Sequence, residues 1–434
     1  MSNIKSKTNI ILEGKPYISL FSAILSLFVG FSVVAFFGAA APILKEAMGL
    51  SSSQVGLLVA TPTLTGGLLR IPFGVWADIN GGKKPILILL FLTLLGIASF
   101  CVLSLIYPNG TIPKSLFPIL LLCGALSGCG IGVFTAGIAH VSYWYPLKKQ
   151  GTALGLYSGL GGISSGLTTA LIPLGIYFIG FNNVYITWMF IAFFGMLLFL
   201  FTDRNAWYFQ LQKHGLSQAQ AVAEAKKVGQ EVFPKGGTKK SFLTAVKNIK
   251  CWALAFIYFS TFGGSVALTA WLPTFWTSYY GLPLMTAGLI TGLMVVFSPF
   301  MRIFGGKLSD IFRAEFVSLF ALFFCLIGSF ILFFSSSAIV SGASLFVMMG
   351  GIGVSNASVF RLIPVYLSGA VGGAAGIIGG VGAFGGFLIP PILGMLVNIM
   401  GKDGYREGFV VFMLLFTVCC FIMAVLTRER RIIS

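Results

Sequence analysis

Charge is what this chain most lacks. Only 9% of its 434 residues are Asp, Glu, Lys or Arg, whereas soluble domains carry about 25%, so a water-covered globular surface is excluded. Acids are scarcer still: all 11 fall in tails, in connections or at the ends of apolar runs, which leaves no buried carboxylate pair for acid–base chemistry. Histidine occurs twice, as His140 and His214, and neither stands in a Ser/His/Asp spacing usable for nucleophilic catalysis. The seven cysteines (Cys101, Cys123, Cys129, Cys251, Cys325, Cys419 and Cys420) lack metal-ligand spacing and read as small buried hydrophobes. There is no Walker-type phosphate loop. An enzyme, a metal centre, a cofactor and ATP-driven action are therefore not expected.

What the chain has is apolar length. Hydrophobic residues make up 57%, with 43 Phe and 55 Gly. At about 20 residues per crossing, the runs predict twelve membrane helices: 17–42, 51–77, 85–107, 115–144, 150–177, 180–202, 249–275, 284–309, 315–335, 338–366, 371–398 and 406–427. The first run is long enough to span and others follow, so no cleavable leader is expected. Connections are short and carry Gly, Pro or Asn, as at Asn80-Gly81-Gly82 and Pro108-Asn109-Gly110. Only 203–248 is long. It is polar and Lys-rich, and 217–228 reads as a short surface helix ended by Pro234-Lys235-Gly236-Gly237. The formal charge of +17 would suggest a polyanionic partner, but 21 of the 28 cations fall on the side of the termini and the long connection, and four on the other. The positive-inside rule then places both termini in the cytoplasm of a plasma (inner) membrane. It also explains the basicity without nucleic acid.

An internal repeat sets the architecture. Gly49, Leu50, Gly56, Leu57, Arg70, Ile71, Gly74 and Asp78 match Gly281, Leu282, Gly288, Leu289, Arg302, Ile303, Gly306 and Asp310 at one constant offset. A second pair of runs agrees: Gly155-x3-Gly159-x-Gly161 and Gly376-x3-Gly380-x-Gly382. The chain thus reads as an N-terminal six-helix bundle (1–202), a cytoplasmic linker (203–248) and a C-terminal six-helix bundle (249–434). Two parallel halves related by an axis along the membrane normal predict a rocking carrier with a midplane site. Gly159, Gly161, Gly162, Gly380 and Gly382 are expected to let helices approach closely; for any one of them, static packing serves as well as motion.

The three remaining cations, Arg70, Arg302 and Arg361, lie inside predicted spans. An Arg at the bilayer centre costs at least ~2.5–3.5 kcal/mol on insertion scales. Arg70 and Arg302 hold equivalent repeat positions, and a twofold axis would bring them to opposite sides of one cavity. No mid-span carboxylate answers them, so an anionic substrate would. A guanidinium fork suits a planar oxyanion; the competing reading has each Arg capping backbone carbonyls or snorkelling to an interface.

Gly74-x3-Asp78-x2-Gly81-Gly82-Lys83-Lys84 resembles the cytoplasmic motif of the major facilitator superfamily, with Ile79 where an Arg is usual and a reduced copy at Gly306-x3-Asp310. Within that superfamily the chain is similar to the nitrate/nitrite porter family. The carrying segments are LLRIPFG around Arg70, Phe134 to Gly162, TAWLPTFW from Thr269, RIFGGKLSD from Arg302, SVFRLIP from Ser358 and GGVGAFGGF from Gly379. The resemblance implies an all-α membrane fold of twelve transmembrane helices in two pseudo-twofold bundles, gating roles for Asp78 and Asp310, and nitrate clamped by Arg70 and Arg302. Phe37, Phe134, Tyr258 and Phe262 match positions lining the family's site. Ordinary packing competes for each Phe, whereas a buried Tyr258 hydroxyl requires a partner.

Arg361 and His140 stand at equivalent repeat positions. Arg361 either contacts substrate or adds positive potential; His140 either relays a proton or is a neutral ring bonded to a neighbouring helix. The family's span-5 Gly-Leu-Gly run is followed by Asn, and Gly162 stands there in this chain, so that amide is missing unless Ser158, Ser164 or Ser165 compensates. The expectation is a secondary carrier of a small inorganic anion, nitrate or nitrite, working as a monomer by alternating access. It would be coupled to a counter-anion or a proton. The alternative is a carrier of small carboxylates such as oxalate. A sensor is disfavoured, because the long connection holds no signalling domain.

Overall fold

The computed structural model describes residues 4–5, 11–234, 238–367 and 371–433. Among them, twelve helices are long and apolar enough to cross a membrane. Numbered as spans 1 to 12, they are Pro16–Met48, Ser52–Asn80, Lys83–Ile106, Lys114–Trp144, Ala153–Ile179, Phe181–Thr202, Ile249–Tyr280, Leu284–Ile311, Ala314–Phe334, Ala338–Ile363, Gly373–Glu407 and Val410–Glu429. Each coincides with a predicted run.

The repeated Gly-Leu pair is a helix stop used twice. Span 1 ends at Gly49 (φ 60°) and span 7 at Gly281 (φ 70°), left-handed positions that glycine adopts without a Cβ penalty. The next N–H turns back in both cases, from Leu50 to Lys45 O (3.0 Å) and from Leu282 to Trp276 O (3.1 Å). Two spans are interrupted where continuous helix was expected. Span 4 tightens to a 3-10 turn at Cys129–Gly132, and span 7 widens to a π turn at Phe259–Gly263. No proline marks either site.

Spans 1–6 and 7–12 meet along three seams, span 2 on span 11, span 5 on span 8 and span 1 on span 7. The repeat equates span 2 with 8 and span 11 with 5, so the first two seams exchange under a twofold axis and the third maps onto itself. The contacts agree residue by residue. A Cβ on Gly56 would lie 2.4 Å from Pro390 O, and one on Gly288 would lie 2.7 Å from Thr169 O; Thr169 and Pro390 are separated by the same interval as Gly155 and Gly376. Backbones touch here because no side chain intervenes. These contacts belong to the ends of the spans remote from the termini. At the terminus-bearing end, a Cβ on Gly155, Gly159, Gly306 or Gly376 would meet nothing within 4 Å. The bundle is closed at one end and open at the other.

Beyond span 6 the chain folds back onto the first bundle. Helices Trp207–Lys213 and Gln218–Lys227 bury Tyr208, Leu211, Ala221 and Ala225 with Leu12 and Trp144 in a second apolar core. The helix Gln218–Lys227 is the surface helix expected from sequence, started by reciprocal Ser217–Gln220 bonds. It stops before Pro234; Lys235, Gly236 and Gly237 of the expected stop lie outside the described residues.

Candidate functional site

Spans 1, 4, 5, 7, 8 and 10 enclose a cavity of about 360 Å³, walled by residues that include Phe31, Phe134, Gly159, Phe262, Arg302 and Asn356. The π turn of span 7 shapes one side of it. Tyr258 immediately precedes the turn and Phe262 lies within it, and their rings stack at 4.9 Å with 1° between planes. Single π turns are frequent at functional sites because the extra residue re-aims the side chains that follow.

The two repeat-matched arginines lie at the ends of one aromatic stack. Arg70 is fully buried behind Phe134 and Phe262, its Cζ 5.0 and 5.1 Å from their ring centroids. Tyr258, stacked on Phe262, meets Phe360 edge-on at 5.1 Å. The Arg302 Cζ lies 5.5 Å from the Phe360 centroid. Ring faces carry negative potential and so offset part of the desolvation of each cation.

Hydrogen bonding leaves the site short of acceptors. Arg70 Nη1 donates to Gly379 O at 3.1 Å, a bond from the first half to the second, but its Nε and Nη2 have no partner. The buried Tyr258 hydroxyl has none either. None of the ion pairs among the described residues includes Arg70 or Arg302. Unpaired buried donors cost about 1–3 kcal/mol each, more when charged. Arg302 is on the cavity wall, whereas Arg70 and Tyr258 stand behind it in this state.

The remaining predicted residues are dispersed. Phe37 is off the wall, packed against Phe36 and Phe100 at 5.6 and 5.2 Å. Gly159 and Gly162 face the cavity with open space above them, while Gly161 packs on Leu27, Gly380 on Ile71 and Gly382 on the Tyr258 ring. Ser158 and Ser165 are on the wall; Ser164 is buried, bonded to Gly161 O at 2.8 Å. Asp78 accepts from the Tyr143 hydroxyl at 2.7 Å.

Besides Phe37, His140 and Arg361 also lie off the cavity wall. His140 is buried at the terminus-bearing end, with Nε2 2.9 Å from Asp203 Oδ1, and is not on the cavity wall. Arg361 forms an exposed pair with Asp310 at 3.0 Å; at about 1.5 Å of rise per residue, span 10 carries it past the level of Asn356 toward the open end. Sequence reasoning missed Phe360 and Asn356. Phe360 has no signal among 43 Phe, whereas Asn356 has one, as the single amide side chain in 338–366.

Comparison with known proteins gives the following. The model of the Major Facilitator Superfamily matches residues 22–390. The probable nitrate transporter NarT of Staphylococcus aureus (strain JH9) is 28% identical over 381 residues, covering 87% of this chain and 88% of NarT. NarT of Staphylococcus epidermidis is 27% identical, covering 87% and 89%. The xylose transporter XylE from E. coli, in a partially occluded inward-open conformation, superposes with a TM-score of 0.73 over 94% of this chain and 97% of XylE, at 15% identity. A bacterial homolog of the human lysosomal transporter Spinster, inward-facing and occupied, gives 0.68 over 96% and 98%, at 16% identity. At such identities these solved structures speak to the fold alone.

Proposed function

The chain belongs to the Major Facilitator Superfamily, and from that premise we propose that this multi-pass membrane transporter carries a small oxyanion, nitrate or nitrite, by alternating access. The observation that carries the reading is Arg70 and Arg302 at the two ends of one aromatic stack beside the cavity, without a carboxylate partner. The Staphylococcus relatives named as probable nitrate transporters support the choice of anion. The rocking bodies are residues 1–202 and 249–434, with 203–248 between them. The cation bias puts the termini in the cytoplasm, which makes the open end the cytoplasmic one. One chain encloses the whole cavity, so the monomer is the working unit. A cationic chamber resists reorienting while empty, which favours exchange against a counter-anion over proton coupling.

Uptake into proteoliposomes tests this. Nitrate or nitrite should accumulate in exchange for internal anion. Arg70→Lys and Arg302→Lys keep the charge but lose the two-pronged geometry, so each should raise KM roughly ten-fold or more, the equivalent of one charged hydrogen bond. Wild-type KM in both variants would reject the clamp. Oxalate uptake that nitrate and nitrite neither replace nor inhibit would reject the assigned substrate in favour of a carboxylate carrier.

A further inference from the structure

Donors are scarce on the cavity wall. Five hydroxyl side chains face it: Ser158, Ser165, Ser265, Thr269 and Ser298. A hydroxyl has one hydrogen, and four of the five give it to their own helix. Ser158 donates to Leu154 O (2.8 Å), Ser165 to Gly162 O (3.2 Å), Ser265 to Phe262 O (2.8 Å) and Thr269 to Ser265 O (2.8 Å). Those four turn lone pairs toward the cavity, which an anion avoids. Gly162 offers no side chain at all.

Nitrogen donors on the described wall come from Arg302 and Asn356. Asn356 is 3% exposed, and its place on the wall directs that exposure to the cavity. Its Oδ1 is 2.7 Å from the Thr261 hydroxyl inside the π turn of span 7, whose one hydrogen is shared between Asn356 Oδ1 and Ile257 O at 2.8 Å. With the carbonyl oxygen held there, the amide keeps its two N–H groups as its remaining polar face, and an anion in the cavity stabilises that orientation over the flipped one.

We propose that Asn356 binds the transported oxyanion directly, donating its amide N–H groups, while Thr261 positions the side chain by holding its carbonyl oxygen. The inference rests on the anion-carrier reading and extends it: two guanidiniums supply charge, and a neutral amide adds direction, which favours a flat multi-oxygen anion over a spherical halide.

The test uses the purified full-length protein, with uptake into proteoliposomes and the rise in Tm on adding nitrate, nitrite or oxalate in detergent. Asn356→Asp keeps an oxygen for the Thr261 hydroxyl but replaces the N–H groups with a carboxylate oxygen. It should raise KM roughly ten-fold or more and abolish the ligand-induced shift. Asn356→Leu, of similar volume, should show the same loss of binding and serves if the Asp variant does not fold. Thr261→Val keeps the amide and loses only its anchor, so KM should rise roughly two- to three-fold. Wild-type KM and ligand shift in both Asn356 variants would overturn the proposal. So would a Thr261→Val variant that matched Asn356→Leu in both ligand-free Tm and KM, because the amide would then be a brace for the π turn. A wild type that answers to none of the three anions defeats the anion-carrier reading itself; a responsive wild type with unaltered variants defeats only the role of Asn356.

Discussion

Arg70 meets two rings and one backbone carbonyl of the opposite half, whereas Arg302 meets one ring and the open cavity. The matched residues therefore differ in this state: the first is fixed, and the second is free to follow a ligand. Both were legible in the sequence because a charge inside an apolar run is costly enough to need a reason. His140 and Arg361 were just as visible, but their roles stayed open in the sequence, because their partners Asp203 and Asp310 come from other elements and no spacing rule joins them. Asn356 and Phe360 were missed, being neutral in a background of neutral residues. His140 yields a prediction. It is 1% exposed and Asp203 is fully buried, so His140→Leu strands a carboxylate, at a cost of about 3–5 kcal/mol. The expected outcome is a clearly lower Tm in detergent with an unchanged KM for the anion. A raised KM at unchanged Tm would return His140 to the transport path.

Among the helices, hydrophobic length predicted every span, yet neither interruption was legible. An apolar run reads the same whether its turn holds 3.0, 3.6 or more residues, and no proline was present to mark the change. The glycine runs were legible as small-residue stripes, but their partners were not. Gly56 and Gly288 are pressed against backbone at the closed end, while Gly155 faces open space at the mouth of the cavity. The same residue type is thus packing at one end of the molecule and clearance at the other. Gly155→Leu is expected to fit this state and to obstruct closure of the open end. Anion binding, read as the ligand-induced rise in Tm, should persist while exchange in proteoliposomes falls roughly ten-fold, the effect of about 1.4 kcal/mol on the balance of states. Exchange at the wild-type rate would show that the mouth does not close over Gly155.

Across the molecule, the repeat announced the twofold axis, but nothing in it tells which end is open, because both states share every residue and differ only in how the halves lean. Besides the Arg70 bond to Gly379 O, three polar contacts between the halves record the present lean. Lys45 Nζ donates to the Tyr405 hydroxyl at 2.7 Å, Asn398 Oδ1 accepts from Ser52 N at 3.1 Å, and Asn398 Nδ2 donates to Ser53 Oγ at 2.7 Å. All three lie at the closed end, where Asn398 satisfies one of the N–H groups that the start of span 2 leaves without a helical partner. These bonds must break when that end opens, so they bias the equilibrium toward the present state by about 0.5–1.5 kcal/mol each. Tyr405→Phe combined with Asn398→Ala removes all three and should therefore shift the balance by about 1.5–4.5 kcal/mol, roughly a ten- to thousand-fold change in the ratio of states. Thr63→Cys supplies the probe, since Thr63 is buried in the closed seam against Gly386. A membrane-impermeant thiol reagent added at the closed side should label that cysteine faster in the double variant than in the otherwise unaltered protein. Equal labelling rates would mean that the glycine-lined contacts of spans 2, 5, 8 and 11 hold the end shut without help from hydrogen bonds.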